Sequence, residues 1–114
     1  MQPDETSEAG GTIRSLNDAL RMLGLGGSVV MTPGVGALSE VDRSDVVAAI
    51  RAFDAFTQDN DPYGEHDCAA VAVGDLRVIW KIDYYDRTLS GHSLDAADTS
   101  VTVRILTIML ADEY

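Results

Sequence analysis

One short segment, residues 59–67, concentrates the side chains of this chain that could do chemistry. It reads Asp-Asn-Asp-Pro-Tyr-Gly-Glu-His-Asp, so four carboxylates and one imidazole occur together with no Lys or Arg among them. Such a cluster could bind a cation, take part in catalysis, form an acidic recognition surface, or only stabilise a tight turn. We call residues 59–67 the acidic loop.

A divalent cation site is the first hypothesis for the acidic loop. In an EF-hand register, Asp59, Asp61 and Asp67 would supply ligand positions one, three and nine. Position twelve, which needs a bidentate Glu, is Ala70. A true EF-hand is therefore not expected, whereas a weaker divalent cation site formed by Asp59, Asp61, His66 and Asp67 stays open.

Catalysis is the second hypothesis, and it depends on His66. An imidazole with an ordinary pKa near ~6.5 can act as a general base. If a strand begins near His66, then His66 and Cys68 would share one face, as in a Cys-His nucleophile pair. The chain has no nucleophile elbow, phosphate-binding glycine loop or paired-His zinc motif. We therefore assign no catalytic residue.

A purely structural role is the third hypothesis. The Asp and Asn residues that open the loop favour turns, Pro62 fixes one backbone dihedral, and Gly64 can adopt a positive φ. This interpretation does not explain Glu65 and Asp67, which add negative charge without a countercharge in the segment. Crowded like charges cost stability unless amides, cations or a partner offset them.

Recognition of a basic partner is the fourth hypothesis, and we favour it. The net charge of −11 argues against direct contact with nucleic acid and would attract basic protein surfaces instead. Acids also alternate with tyrosines, which bind Arg and Lys by charge and by cation–π contact. The candidate partner-binding residues are Asp59, Asp61, Tyr63, Glu65, Asp67, Asp83, Tyr84, Tyr85 and Asp86.

The elements that must position these residues indicate an α+β fold. Apolar residues at helical spacing predict a helix over residues 12–23 with Thr12 as a possible N-cap, and a second helix capped by Ser39 or Ser44. That second helix must end before Pro62, so the acidic loop begins where it ends. A short β-branched run predicts a strand at residues 28–32.

The second half of the chain predicts strands. A hairpin is indicated around Gly74 and Asp75, and Trp80 and Tyr84 would lie on the same side of its second strand. Residues 101–110 indicate a strand covered on both sides, with a buried helix as the alternative. The predicted order is α-β-α-β-β-β, with two helices packed on a mostly antiparallel sheet of about four strands.

Length and composition bound the organisation. With 114 residues, 46% of them hydrophobic, we expect a disordered acidic lead-in at residues 1–11 and a single domain at residues 12–114. The chain has no run of about 18 apolar residues, which excludes a membrane span, and no secretory signal. The single cysteine, Cys68, suits a reducing cytoplasm.

Three longer segments carry a family resemblance. "FTQDNDPYGEHD" (residues 56–67), "WKIDYYD" (residues 80–86) and "LTIMLADEY" (residues 106–114) resemble a family of small bacterial proteins of unknown function. That family is marked by an Asn-Asp-Pro-Tyr-Gly-Glu-His-Asp signature and is frequent on plasmids and phages. Its signature continues with Phe-Gly where this chain has Cys68 and Ala69, which weakens a catalytic role for Cys68.

The resemblance implies a setting rather than an activity. Small acidic proteins of mobile elements often block host defence, as anti-CRISPR and anti-restriction proteins do, by binding a basic complex that handles nucleic acid. We therefore expect a cytoplasmic, non-enzymatic protein that occludes a basic site on a nucleic-acid-binding protein. The alternative is a metal-dependent enzyme or cation-binding domain centred on the acidic loop.

Overall fold

Residues 5–114, which the structure describes, fold into three helices and one four-stranded sheet. The computed structural model describes the backbone of residues 5–114 and the side chains from residue 11 onward. In chain order the elements are α1 (Glu5–Leu23), β1 (Ser28–Met31), α2 (Pro33–Gly36), α3 (Glu40–Ala52), β2 (Cys68–Val73), β3 (Leu76–Tyr85), β4 (Val103–Leu110) and a 3-10 turn (Ala111–Glu113). The strand order is β1-β4-β3-β2, with β1 parallel to β4 and the other pairs antiparallel. The α+β prediction is confirmed.

One face of the sheet carries the hydrophobic core. Strand alternation directs Val78, Trp80 and Ile82 of β3, and Leu106 and Ile108 of β4, to the same side. There they pack against the buried residues that the three helices contribute, which are Leu20, Val35, Val46 and Ile50. The described helices therefore all lie on one face, and we call the opposite side of the sheet the open face.

The start of α1 differs from the sequence prediction. The helix begins at Glu5, so Thr12 lies inside it and is not the N-cap. Once the apolar turns of a helix are anchored by packing, each added residue gains one hydrogen bond, and the helix can extend into weakly helical sequence. Residues 5–11 of the predicted lead-in thus belong to α1, and residues 1–4 lie outside the described part of the chain.

The segment before the acidic loop follows the prediction closely. Ser39 is the N-cap of α3, and its hydroxyl accepts a 3.1 Å hydrogen bond from the backbone N–H of Asp42. The helix ends at Ala52, well before Pro62. The short helix α2 was not predicted, because four residues that begin at a proline give no periodic signal.

The C-terminal segment is a strand, so the alternative of a buried helix is wrong. In β4, residues such as Arg104, Leu106 and Ile108 are buried against the helices, whereas Ile105 and Thr107 on the open face are only half-buried. Met109, which also lies on the open face, is buried, so the predicted cover on both sides holds at Met109 and is incomplete over Ile105 and Thr107. Two hydrogen-bonded neighbours, β1 and β3, make β4 an interior strand of the sheet.

Candidate functional site

Asp61 organises the acidic loop from within. Its carboxylate is buried, and Oδ1 accepts hydrogen bonds from the backbone N–H groups of Glu65 (3.1 Å) and His66 (3.2 Å). The turn needs positive φ at Gly64 (66°) and also at His66 (54°), a conformation that costs a non-glycine residue roughly 1 kcal/mol. Asp61 therefore serves the loop's own backbone instead of facing a partner.

His66 lies between two carboxylates on the helix side of the sheet. Its Nδ1 donates to Asp18 Oδ1 of α1 at 2.9 Å, and its Nε2 lies 3.7 Å from Asp61 Oδ2. The ring stacks on Phe56, with centroids 3.7 Å apart and planes at 5°. These contacts fix the imidazole on both edges and one face.

Arg21 joins α1 to the end of α3. Its buried guanidinium donates to the carbonyl oxygens of Ile50 (2.8 Å) and Phe53 (3.0 Å) and to Asp18 Oδ1 (3.1 Å). The free carbonyl groups at a helix C-terminus carry partial negative charge, which favours a cation there. Asp18 therefore bridges Arg21 and His66, and ties both helices to the acidic loop.

Asn17 is fully buried and holds the other end of the loop. Its Nδ2 donates to the backbone carbonyl of Glu65 (3.0 Å) and to the Tyr84 hydroxyl (2.8 Å), and its Oδ1 accepts from Arg104 Nε (2.9 Å). The Tyr84 hydroxyl in turn donates to Glu65 Oε1 at 3.2 Å. Buried polar groups are costly unless they are paired, and each member of this network finds a partner.

Burial shifts the titration of the groups in this network. Burial raises the pKa of the Glu65 carboxyl, and the hydrogen bond from Tyr84 offsets part of that rise. Burial also raises the pKa of Tyr84 far above its ordinary value and lowers the pKa of the Arg104 guanidinium. The Arg104 guanidinium lies 5.0 Å from the centroid of the Tyr84 ring. Glu65 and Tyr84 are thus half-buried and hydrogen-bonded to each other.

The residues at positions 83–86 are not one surface. Tyr84 points to the helix side, whereas Asp83 and Tyr85 lie on the open face, because successive residues of β3 alternate. Asp86 binds the turn that follows: its Oδ1 accepts from the backbone N–H groups of Thr88 (3.1 Å) and Ser90 (3.0 Å). These hydrogen bonds, that from Ser90 foremost, lower the pKa of Asp86.

An acidic cleft opens where the loop meets the open face. Its volume is about 520 Å³, and its lining residues with polar or aromatic side chains are Asn60, Asp67, Cys68, Lys81, Asp83 and Tyr114. Lys81 Nζ lies 3.2 Å from Asp83 Oδ2. Burial raises the pKa of Asp67, and the charges of Asp61 and Asp83 add to that rise. A half-buried carboxylate with like-charged neighbours can be stabilised by an incoming cation.

The Cys-His prediction is wrong. The strand begins at Cys68, after the left-handed residue His66, so the alternation assumed from His66 onward does not hold. Cys68 pairs with Lys81 on the open face, whereas His66 contacts Asp18 and Phe56 on the helix side. Burial also raises the pKa of the Cys68 thiol, which leaves less of the nucleophilic thiolate.

Of the four residues in the cation hypothesis, only Asp61 and His66 lie close together, and the four do not converge on one point. Asp59 is exposed, Asp61 turns inward to backbone amides, and His66 and Asp67 lie on opposite sides of the loop's junction with the sheet. Across the part of the chain that the structure describes, no three His, Cys, Asp or Glu side chains are arranged to hold a metal ion. Tyr63, like Asp59, is exposed, and it stays available on the outer side of the loop.

The residues that support the loop were not predicted from the sequence. Asn17, Asp18, Arg21 and Arg104 all contact it or the residues that brace it. Two signals were present: Asn17 lies within the apolar stripe of α1, and Arg104 lies on the same face of β4 as Leu106 and Ile108. A polar residue at a core position indicates a buried hydrogen-bonded partner elsewhere in the fold.

Comparison with known proteins gives a family but no activity. A family model described as "Protein of unknown function (DUF3768)" matches residues 31–113, so the chain belongs to that family. No curated protein and no solved structure matches the chain. Within residues 5–114, none of the helices has the length and apolar character needed to cross a membrane.

Proposed function

We propose that this DUF3768 protein is a non-enzymatic binding protein, and that its acidic cleft takes a cationic side chain from a basic surface of a nucleic-acid-binding protein. The observation that carries the proposal is the cleft beside the acidic loop, where Asp67 and Asp83 line about 520 Å³ of accessible space. That volume lies in the range of ~300–1,000 Å³ typical of binding pockets.

The chemistry of the cleft favours a guanidinium or ammonium group. Burial and like-charged neighbours disfavour the ionised form of Asp67, so a cation that enters the cleft would gain by stabilising it. The ring of Tyr114, which is largely exposed, offers a surface for stacking or cation–π contact. Lys81 is the one basic residue in the lining, and its ion pair with Asp83 opposes the incoming charge.

The proposed surface is narrower than the sequence analysis expected. It consists of Asp67, Asp83 and Tyr114 in the cleft, with Asp59 and Tyr63 on the exposed side of the loop. Asp61, Glu65 and Tyr84 support this surface from inside through the hydrogen bonds described above. A rigid support matters because a preorganised site loses less entropy when a partner binds.

Occlusion of a phosphate-binding groove is the role that this chemistry suits. A chain with net charge −11 competes with nucleic acid for the same basic residues, and salt weakens such an encounter. A single cysteine, Cys68, suits a reducing compartment, and we propose that the encounter takes place in the cytoplasm. Inhibition of host defence on behalf of a mobile element would be one use of this occlusion.

Binding of a fluorescently labelled arginine-rich peptide tests the cleft directly. Asp67→Asn should weaken binding by about fivefold, which corresponds to roughly 1 kcal/mol for one partly screened charge pair. Asp45→Asn is the matched control, because it removes the same charge from an exposed position on α3. Lys81→Gln should strengthen binding, since it releases Asp83.

Two results would contradict the proposal. Equal weakening by Asp67→Asn and Asp45→Asn would mean that only net charge matters, and weaker binding by Lys81→Gln would mean that the ion pair itself is needed. The partner class has its own test, in which proteins are recovered from a lysate of the source organism at low and high salt. A partner captured at low salt should be displaced by duplex DNA; capture that DNA leaves unchanged would overturn the assignment to nucleic-acid-binding proteins.

A further inference from the structure

The strand β1 lies at the edge of the sheet and leaves backbone groups unpaired. Its inner side pairs with β4, and the N–H of the following residue, Thr32, donates to the carbonyl of Ile108 at 3.0 Å. Backbone groups alternate along a strand, so Ser28 and Val30 also point to β4. Val29 and Met31 direct their N–H and C=O groups to the other side, where no strand of residues 5–114 pairs with them.

The segment that forms this edge is apolar and carries no charged residue of its own. Charged side chains from elsewhere in the fold lie beside it, including Glu113, which accepts from Thr32 Oγ1 at 2.6 Å, and Arg51, which lines a small cavity with Val29. Six large hydrophobic side chains are exposed in the segment that contains β1: Met22, Leu23, Leu25, Val29, Val30 and Met31. Residues 22–39 contain no Asp, Glu, Lys or Arg, although the chain has 19 acidic and 8 basic residues elsewhere. Edge strands are ordinarily protected by a charge, a proline or a bulge, and residues 28–31 contain neither a charged residue nor a proline.

We propose that β1 pairs antiparallel with β1 of a second copy of this chain, so that two four-stranded sheets join into one. The net charge of the chain favours a second copy over a basic partner at this edge. A basic partner would be drawn to the acidic surfaces, whereas two copies that each carry −11 repel each other least where they meet through a segment that contains no charged residue. A two-fold axis brings the same patch of both copies together, which is the commonest symmetry of homodimers.

The alternation of β1 fixes the register of this pairing. With Val30 opposite Val30 of the second copy, Val29 lies opposite Met31 of the second copy, and each such pair exchanges two hydrogen bonds. All the outward N–H and C=O groups of Val29 and Met31 are then satisfied. The two Val30 side chains form a non-hydrogen-bonded pair on the open face, where Cα atoms lie about 4.5 Å apart.

Disulfide trapping tests this register. In a Cys68→Ser background, Val30→Cys should give an oxidant-dependent covalent dimer, because a Cα separation of about 4.5 Å lies within the disulfide range. Leu94→Cys in the same background is the matched control, since Leu94 is exposed but lies outside residues 22–39. Cross-linking of the control as fast as of Val30→Cys would overturn the proposal.

Sedimentation velocity tests the dimer itself. The unmodified chain should dimerise with rising concentration, and more strongly at high salt, because salt screens the repulsion between two copies that each carry −11. Val30→Lys should abolish dimerisation by placing two ammonium groups opposite each other, whereas Leu94→Lys adds the same charge and should leave it intact. Circular dichroism of both variants establishes that they are folded.

An unmodified chain that stays monomeric at high salt and high concentration would refute the pairing. So would a Val30→Lys variant that is folded and still dimeric. These outcomes do not affect the proposed binding at the acidic cleft, because the two associations depend on salt in opposite ways. Salt should weaken the binding of the arginine-rich peptide and strengthen the pairing of β1 with β1 of a second copy.

Discussion

Replacement of Asp61 by alanine tests whether the acidic loop is held from within. The buried carboxylate of Asp61 accepts hydrogen bonds from the N–H groups of Glu65 and His66, and it lies 3.7 Å from the His66 ring. His66 has a left-handed backbone, which these bonds must stabilise against its own strain. The alanine variant removes both acceptor contacts and leaves two amide groups unpaired in a partly buried turn.

The expected cost follows from those contacts. A hydrogen bond to a charged group contributes about 1.5 kcal/mol at the lower end of its range, so the loss of two gives a destabilisation of about 3 kcal/mol. Asp61→Asn keeps an acceptor oxygen but loses the charge, and because charge-assisted bonds are about twice as strong, we expect it to cost about 1.5 kcal/mol. Asp59→Ala, on the exposed side of the loop, should change stability by less than about 0.5 kcal/mol.

Urea unfolding followed by tryptophan fluorescence measures these differences, because Trp80 lies in the core beneath the loop. With a slope of about 1.5 kcal/mol per molar, the Asp61→Ala midpoint should fall by about 2 M relative to the unmodified chain. The order of midpoints should be Asp59→Ala highest, Asp61→Asn intermediate and Asp61→Ala lowest. Coincident midpoints for the two alanine variants would refute the assignment of Asp61 to internal support.

Three further outcomes are expected. Asp67→Asn should raise the free energy of unfolding at pH 7, because folding raises the pKa of Asp67 and so disfavours its ionised form. The gain should disappear as the pH falls below the pKa of Asp67 in the unfolded chain, where the carboxyl is protonated in both states. A gain that persists in urea titrations at low pH would contradict this. Tyr84 should ionise later than an ordinary tyrosine in an alkaline absorbance titration, and Tyr84→Phe, which leaves polar groups unpaired, should cost about 1–2 kcal/mol in urea unfolding. Gly27→Ala should lower the free energy of unfolding by about 1–3 kcal/mol, because its Cβ would lie 2.4 Å from the carbonyl oxygen of Arg104. Gly36→Ala is the control: its Cβ would meet no atom within 4 Å, and its melting temperature should stay close to that of the unmodified chain.

Local signals predicted most of the scaffold. The hairpin around Gly74, the strand β1 and the Ser39 cap of α3 each depend on a few neighbouring residues, and all three are confirmed. The hydrophobic pattern of β3 also gave the correct face for Trp80. The start of α1 was wrong because helix propagation depends on packing, which the sequence around Thr12 does not report.

The direction of the loop side chains could not be predicted from the loop. Glu65 and His66 turn inward because Asn17 and Asp18 of α1 lie beneath them, nearly fifty residues away along the chain. The number of charges in residues 59–67 does not show which carboxylates are buried and which are exposed. Only the fold separates Asp61, which serves backbone amides, from Asp67, which lines the cleft.

The dependence of the acidic loop on α1 limits how far the motif can be transplanted. The family match starts at residue 31, beyond α1, yet the amide of Asn17 and the carboxylate of Asp18 supply contacts that the loop requires. A fragment that starts at β1 would keep the complete nine-residue motif and lose both of those supports. Any portable unit must therefore include the helix that precedes the matched region, in addition to the loop and the strands that brace it.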